Sequence, residues 1–306
     1  MRSGTAFLSS VLFFDTGGVA ALVCSRFHAS RSLRRNARGH KALSLTMQVA
    51  GLRRVVVTGM GVVSCLGNTL EDVAESLFRG RSGIKHSQTY ENRGIRSHLW
   101  GKPDLTEDEI RRVIPSQYLP YCSDAAKYAY MSMADAIKDA RLSPGDYECN
   151  PRVACVVGQG GVSLGDVVEA TAAVKHAGGL RDGRGGWAMA VGPNRFLRTM
   201  NSNVCAVLTN SFQLRGPSFS IAAACSTGGH SVGMGRQQIM LDKADMAFCG
   251  AGDDAFCWPF AAMCDAMGVL STARNDDPGS ASRPFDANRD GLVLGGGGGV
   301  VVLEEL

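Results

Sequence analysis

Phe219-Ser220-Ile221-Ala222-Ala223-Ala224-Cys225-Ser226-Thr227-Gly228-Gly229-His230 runs an apolar strand into one cysteine and opens a small-residue helix directly behind it. The pattern predicts a strand over 219–224 and a helix over 225–241. Cysteine attacks as thiolate, and a helix N-terminus offers partial positive charge and unpaired N–H groups that favour the anion. Those amides also suit an oxyanion. A small cysteine packed into a strand-to-helix turn would give the same local pattern, because free cysteine is among the most buried residue types.

Outward from this stretch the chain alternates strands and helices. Val55 to Val63 is a β-branched run ending at Gly59 and Gly61, a buried strand by its composition. A dinucleotide fingerprint would need a third glycine at position 64, where Ser64 stands, so that reading is weak. A helix follows over 70–79 with Asn68 as its cap. Ser123 caps another through Ala140, where Ala126, Tyr130, Met133, Ile137 and Ala140 keep one face apolar. Arg152 to Gly158 reads as a strand, 158–192 as a long glycine-rich surface excursion, 204–214 as a helix and Met246 to Gly252 as a strand. The last run, Leu292 to Glu305, is strand-like but interrupted by Gly295 to Gly299. Without a following Lys-Ser/Thr these glycines are no phosphate loop, and close packing of layers is the better account. Asp286 to Gly291 reads as a turn tied by Asp and Asn side chains. Strands alternating with helices imply a mainly parallel sheet covered on both faces.

With 306 residues, 45% of them apolar and 20% charged, the chain can bury a large core. Its net charge of +4 comes from the first 46 residues, where seven basic residues face only Asp15. From residue 47 on, 25 basic residues meet 27 acidic ones, a net of −2. That body carries no nucleic-acid signature. Residues 1–50, rich in Arg and Ser and poor in acids, read as an organelle-targeting leader, for a plastid ahead of a mitochondrion, with the apolar run 6–14 as a signal-like core in front, as for a plastid reached through the secretory route. The run is too short, and too interrupted by Asp15 and Gly17-Gly18, to span a bilayer. The other reading takes Met47 as the start, which makes the protein cytoplasmic. Ten scattered cysteines contain no Cys-x-x-Cys pair and no neighbouring His-x-x-x-His, so no metal site is expected. They fit a reducing compartment.

Three stretches in fixed order, Val55 to Ser64 (VVVTGMGVVS), Ala222 to Gly233 (AAACSTGGHSVG) and Ser282 to Leu306 (SRPFDANRDGLVLGGGGGVVVLEEL), carry a family resemblance together with Arg96 to Gly101 and Phe256-Cys257-Trp258. From about residue 53 to its end the chain resembles the β-ketoacyl-acyl-carrier-protein synthases, closest to the ketoacyl synthase I type. The resemblance implies a thiolase-like α/β fold, here its N-terminal βαβαβαββ half with a five-stranded, mostly parallel sheet covered by helices. It further implies that Cys225 is the acylated nucleophile and that its backbone N–H is an oxyanion donor. No cofactor is implied. The implied partners are acyl-carrier protein bearing acyl and malonyl thioesters and a second subunit, in a homodimer or heterodimer; neither nucleic acid nor a membrane is expected.

In the family a second half brings two histidines, one in a His-Gly-Thr motif, a lysine and a glycine-phenylalanine loop. None of these motifs occurs in residues 1–306, so these residues are expected to accept an acyl group without condensing it. A non-catalytic half-synthase that pairs with or regulates a full-length relative is the alternative. His230 stands five helical steps from Cys225, about 140° around the axis, and is expected to be a cap or core residue. Asp253 and Asp254 read as a polar loop. Arg195 and Arg198 match a region where the family places basic residues for carrier docking.

Overall fold

The computed structural model describes residues 52–176 and 186–306; the leader reading of 1–50 falls outside them. β1 (Val55–Val63), β4 (Val153–Gly158), β5 (Ser218–Phe219), β6 (Met246–Asp253) and β8 (Gly297–Glu305) form a five-stranded sheet in the order β1-β8-β6-β4-β5. β6, β4 and β5 pair in parallel, and β8 runs antiparallel to both its neighbours. Four strands therefore share one direction. β2 (Lys85–His86), β3 (Leu99–Gly101) and β7 (Leu294–Gly295) make a second, three-stranded sheet.

Every residue of β4 is buried, as a central strand covered on both faces requires. Its alternate side chains divide between two cores. Val153, Cys155 and Val157 join Met246, Phe248, Val300 and Val302 under the Asp124–Asp139 helix, whose Ala126, Tyr130, Met133 and Ile137 close that side. Ala154 and Val156 join Ala247, Cys249 and Leu303 on the other face, against Ile239 of the helix Thr227–Met240. Period-two alternation thus selects which helix each strand residue meets.

Gly59 and Gly61 let β1 lie directly against the Asp124–Asp139 helix. A Cβ at Gly61 would stand 1.9 Å from the Ser132 carbonyl oxygen, and one at Gly59 2.4 Å from that of Ala136. The Gly-x-Gly is a packing device. Gly296, Gly297 and Gly298 act likewise, with Gly298 against the Tyr128 backbone.

Several boundaries differ from expectation. The Leu70–Phe78 helix is capped by Thr69, whose hydroxyl accepts the Asp72 N–H at 3.2 Å, while Asn68 Nδ2 donates to the Asp104 carbonyl. Residues 158–192 do not form one open excursion: Leu164–His176 and Gly186–Val191 are helical, and their small residues gave no apolar stripe to betray them. The strand expected over 219–224 stops at Phe219, because the chain must turn before the cysteine. No helix among the described residues is long and apolar enough to cross a membrane.

Candidate functional site

Cys225 sits in a single 3-10 turn, Ala224–Ser226, that leads into the helix Thr227–Met240. Its thiol is exposed. The turn is strained: Ala224 has φ +47°, the left-handed region, where a Cβ crowds the following carbonyl. Thr227 holds it in place. Its buried hydroxyl accepts the Ala223 N–H at 2.9 Å and donates to the Ala224 carbonyl at 2.7 Å, bracketing the strained residue from both sides. Ser226 Oγ donates to the Ala223 carbonyl at 2.7 Å. Among the described residues no carbonyl accepts the Cys225 N–H, so that donor is free for a ligand.

Two glycines at the end of β4 allow the turn to approach the sheet. A Cβ on Gly158 would fall 2.0 Å from the Ile221 carbonyl oxygen, and one on Gly160 2.7 Å from Asp253 Oδ2 and 3.1 Å from the Ala224 carbonyl oxygen. Gly160 instead offers its N–H to Asp253 Oδ2 at 3.0 Å. The helix behind the cysteine settles on the sheet through Thr227, Ser231, Gly235, Gln238 and Ile239, a stripe of mostly small buried residues at helical spacing.

Asp253 and Asp254 are not a solvated loop. Burial raises the carboxyl pKa of both; Asp254, further discouraged from ionising by Asp253 and Asp124, is pushed up to about 7. Ser163 Oγ lies 2.9 Å from Asp166 Oδ2 and 3.1 Å from Asp254 Oδ2. One hydroxyl proton serves one of these carboxylates, and a protonated Asp254 donating to Ser163 satisfies the other contact.

Arg195 and Arg198 are both engaged within the chain. Arg198 Nη2 stands 2.6 Å from Oδ1 of buried Asp166, and Arg195 Nη1 stands 2.8 Å from Glu169, both on the helix Leu164–His176. Each arginine side chain is only about a quarter exposed, and Phe196, Leu197 and Met200 beside them are exposed. His230 is exposed on its helix, so it is neither the cap, which is Ser226, nor a core residue. The cysteine and histidine spacing gave no metal-ligating group, yet the fold gathers His86, Glu91 and His98, with one donor atom from each inside 4.8 Å of the others. Thr227, Ser163 and Gly160 were missed as supports. The hydroxyl two residues past the cysteine was the one visible signal.

The helix-covered five-stranded sheet, with Cys225 at the head of one covering helix, is a thiolase-like α/β fold. The family described as "Beta-ketoacyl synthase, N-terminal domain" matches residues 52–306, and the chain belongs to it. It is 44% identical over 255 residues to 3-oxoacyl-[acyl-carrier-protein] synthase 1 of Escherichia coli K12, covering 83% of this chain and 60% of that protein. The same enzyme of Haemophilus influenzae is 40% identical with the same coverage. The chain thus spans about 60% of the length of the curated relatives it matches. Among solved structures, a β-ketoacyl synthase from Burkholderia phymatum superposes with TM-score 0.72 at 24% identity, covering 83% of this chain and 60% of that one. The ishigamide ketosynthase/chain length factor superposes with TM-score 0.70 at 26% identity, covering 83% and 59%.

Proposed function

We propose that residues 52–306 carry the acyl-accepting half of a 3-oxoacyl-[acyl-carrier-protein] synthase of fatty-acid biosynthesis. The observation that carries this reading is the exposed Cys225 thiol on a strained turn at a helix N-terminus. The thiolate adds to the carbonyl of an acyl thioester. The oxyanion that forms takes the unpaired Cys225 N–H, the carrier thiol leaves, and the acyl chain stays on Sγ as a new thioester. Decarboxylation of malonyl-carrier protein to a carbanion, and its attack on that thioester, call on histidines that these residues do not place beside Cys225. For residues 52–306 alone the proposal is acylation without 3-oxoacyl product.

The donor is an acyl-carrier protein. One solved relative is described as an acyl-carrier protein in complex with its ketosynthase, and another as a ketosynthase in complex with its chain length factor; at 23% and 16% identity they share the fold with this chain. Arg195 is the better docking candidate, because Arg198 is tied to a buried carboxylate. A two-subunit assembly suits the exposed Phe196, Leu197 and Met200. The composition of residues 1–50 supports delivery to a plastid, which a fluorescent fusion of that leader tests by its location.

The decisive measurement is intact and peptide mass spectrometry after incubation with acyl-carrier protein charged with a saturated chain. A mass increase of one acyl group on the Cys225 peptide, absent in Cys225→Ala, is expected. No adduct on Cys225 under conditions that acylate the Escherichia coli relative, or an adduct unaffected by Cys225→Ala, refutes the reading.

A further inference from the structure

We propose that His86, Glu91 and His98 form a binding site for a zinc-class divalent cation beside the small β2-β3-β7 sheet. His86 ends β2, Glu91 closes the short helix Gln88–Glu91 that follows, and His98 immediately precedes β3. Antiparallel pairing sets His86 opposite Leu99 and so brings His98 alongside, while the Gln88–Glu91 turn folds the carboxylate back over the ribbon. His86 Nε2 lies 3.6 Å from Glu91 Oε2, and the three donor atoms all fall within 4.8 Å of one another. Bonds of about 2.0–2.2 Å in a tetrahedral site put donors roughly 3.4 Å apart. One pair already has that separation, and small rotations of exposed side chains bring the third donor in.

The backbone beneath these side chains is pinned. Ser87 N–H donates to the His98 carbonyl at 2.7 Å, and Asn275 Oδ1 accepts the His98 N–H at 2.8 Å while its Nδ2 donates to the Arg96 carbonyl. Tyr90, fully buried, anchors the helix through its hydroxyl on the Phe256 carbonyl. Gln88 Nε2 donates to Glu91 Oε2 at 2.8 Å, the kind of outer contact that aims a ligating carboxylate. Two imidazoles and one carboxylate suit zinc, cobalt or nickel over calcium or magnesium, which take oxygen ligands. Three protein donors leave a fourth position to water, consistent with the exposure of His86 and Glu91. A bound ion would staple residues 86–98 and raise stability by mass action.

The test titrates the metal-stripped full chain with Zn²⁺ against a chromophoric chelator, and separately with Co²⁺. Ten cysteines can also take zinc, so the proposal is read from variants. The wild type is expected to bind one equivalent that His86→Ala and Glu91→Gln each weaken at least about tenfold, with cobalt d–d bands and no thiolate charge-transfer band assigned to that equivalent. Saturating Zn²⁺ should raise the melting temperature of the wild type and not of those variants. His86 and Glu91 are exposed, so their replacement spares the fold; His98→Asn, checked by its metal-free melt, should behave alike. Equal zinc stoichiometry and affinity in wild type and His86→Ala, binding confined to thiolates, or a lone His86–Glu91 ion pair with no ion taken up would overturn the proposal.

Discussion

Thr227 is the residue on which presentation of the thiol turns. Its hydroxyl makes two bonds across Ala224, which the chain holds at φ +47° at a cost on the order of 1 kcal/mol or more. Thr227→Val keeps the volume and deletes both bonds; the Ala224 carbonyl keeps the Thr227 backbone N–H, so the half-buried Ala223 N–H is the group left unpaired, at a cost of about 1 kcal/mol. We expect Thr227→Val to unfold at lower urea and to slow alkylation of Cys225, and Thr227→Ser to restore both; equal alkylation rates in all three would show that the hydroxyl does not position the thiol. The readout must be peptide-resolved. Cys149 is also exposed, whereas burial raises the thiol pKa of Cys122 and Cys257 to about 11 and suppresses their thiolates. The sequence placed Cys225 at a helix head, but the strained 3-10 turn depends on the φ of an alanine, which no residue-type pattern reports.

At the level of the element, the helix Thr227–Met240 owes its seat to Gly235. A Cβ there would stand 2.0 Å from Cys249 Sγ in β6. Gly235→Ala gains about 1 kcal/mol of intrinsic helix preference but must push the helix off the sheet, and such overpacking costs about 1–3 kcal/mol. Contact wins, so the variant should melt lower than wild type; a higher melting temperature would mean the helix has room to move. The main strands were legible because β-branched runs such as Val55–Val57 and Val153–Val157 have one physical use. The Leu164–His176 helix was not, since glycine-rich flanks and alanines hid its period. The metal-ligand group was hidden for a related reason: its members are five and seven residues apart, and only pairing of β2 with β3 closes the gap. Arg198 matches a docking region by position alone, and its pairing with buried Asp166 rests on a helix that the sequence does not reveal.

For the whole molecule one exposed, ion-paired carboxyl and a group of buried ones set how stability follows pH, and two windows separate. Asp245, held between Arg152 and Arg53, has a pKa lowered to about 2; its contribution is complete above the ordinary carboxylate pKa and is lost as pH falls toward 2. Asp254 acts with the opposite sign. Its folded pKa of about 7 lies above its unfolded value near 3.8, so between those values the folded chain binds more protons than the unfolded one, and stability declines as pH rises. Asp166 and Asp253, also raised by burial, add to the same slope. Ionising Asp254 costs at most about 4 kcal/mol by the shift-to-energy conversion. Asp254→Asn retains a partner for Ser163 and cannot ionise. Urea unfolding from pH 4 to 8 should therefore show wild-type stability falling and levelling off above pH 7, with a shallower fall in Asp254→Asn. The variant should equal or exceed the wild type at pH 8 and lose that margin near pH 4. Parallel curves across this range would place the charge on Asp254 throughout and require a different proton for the Ser163 hydroxyl.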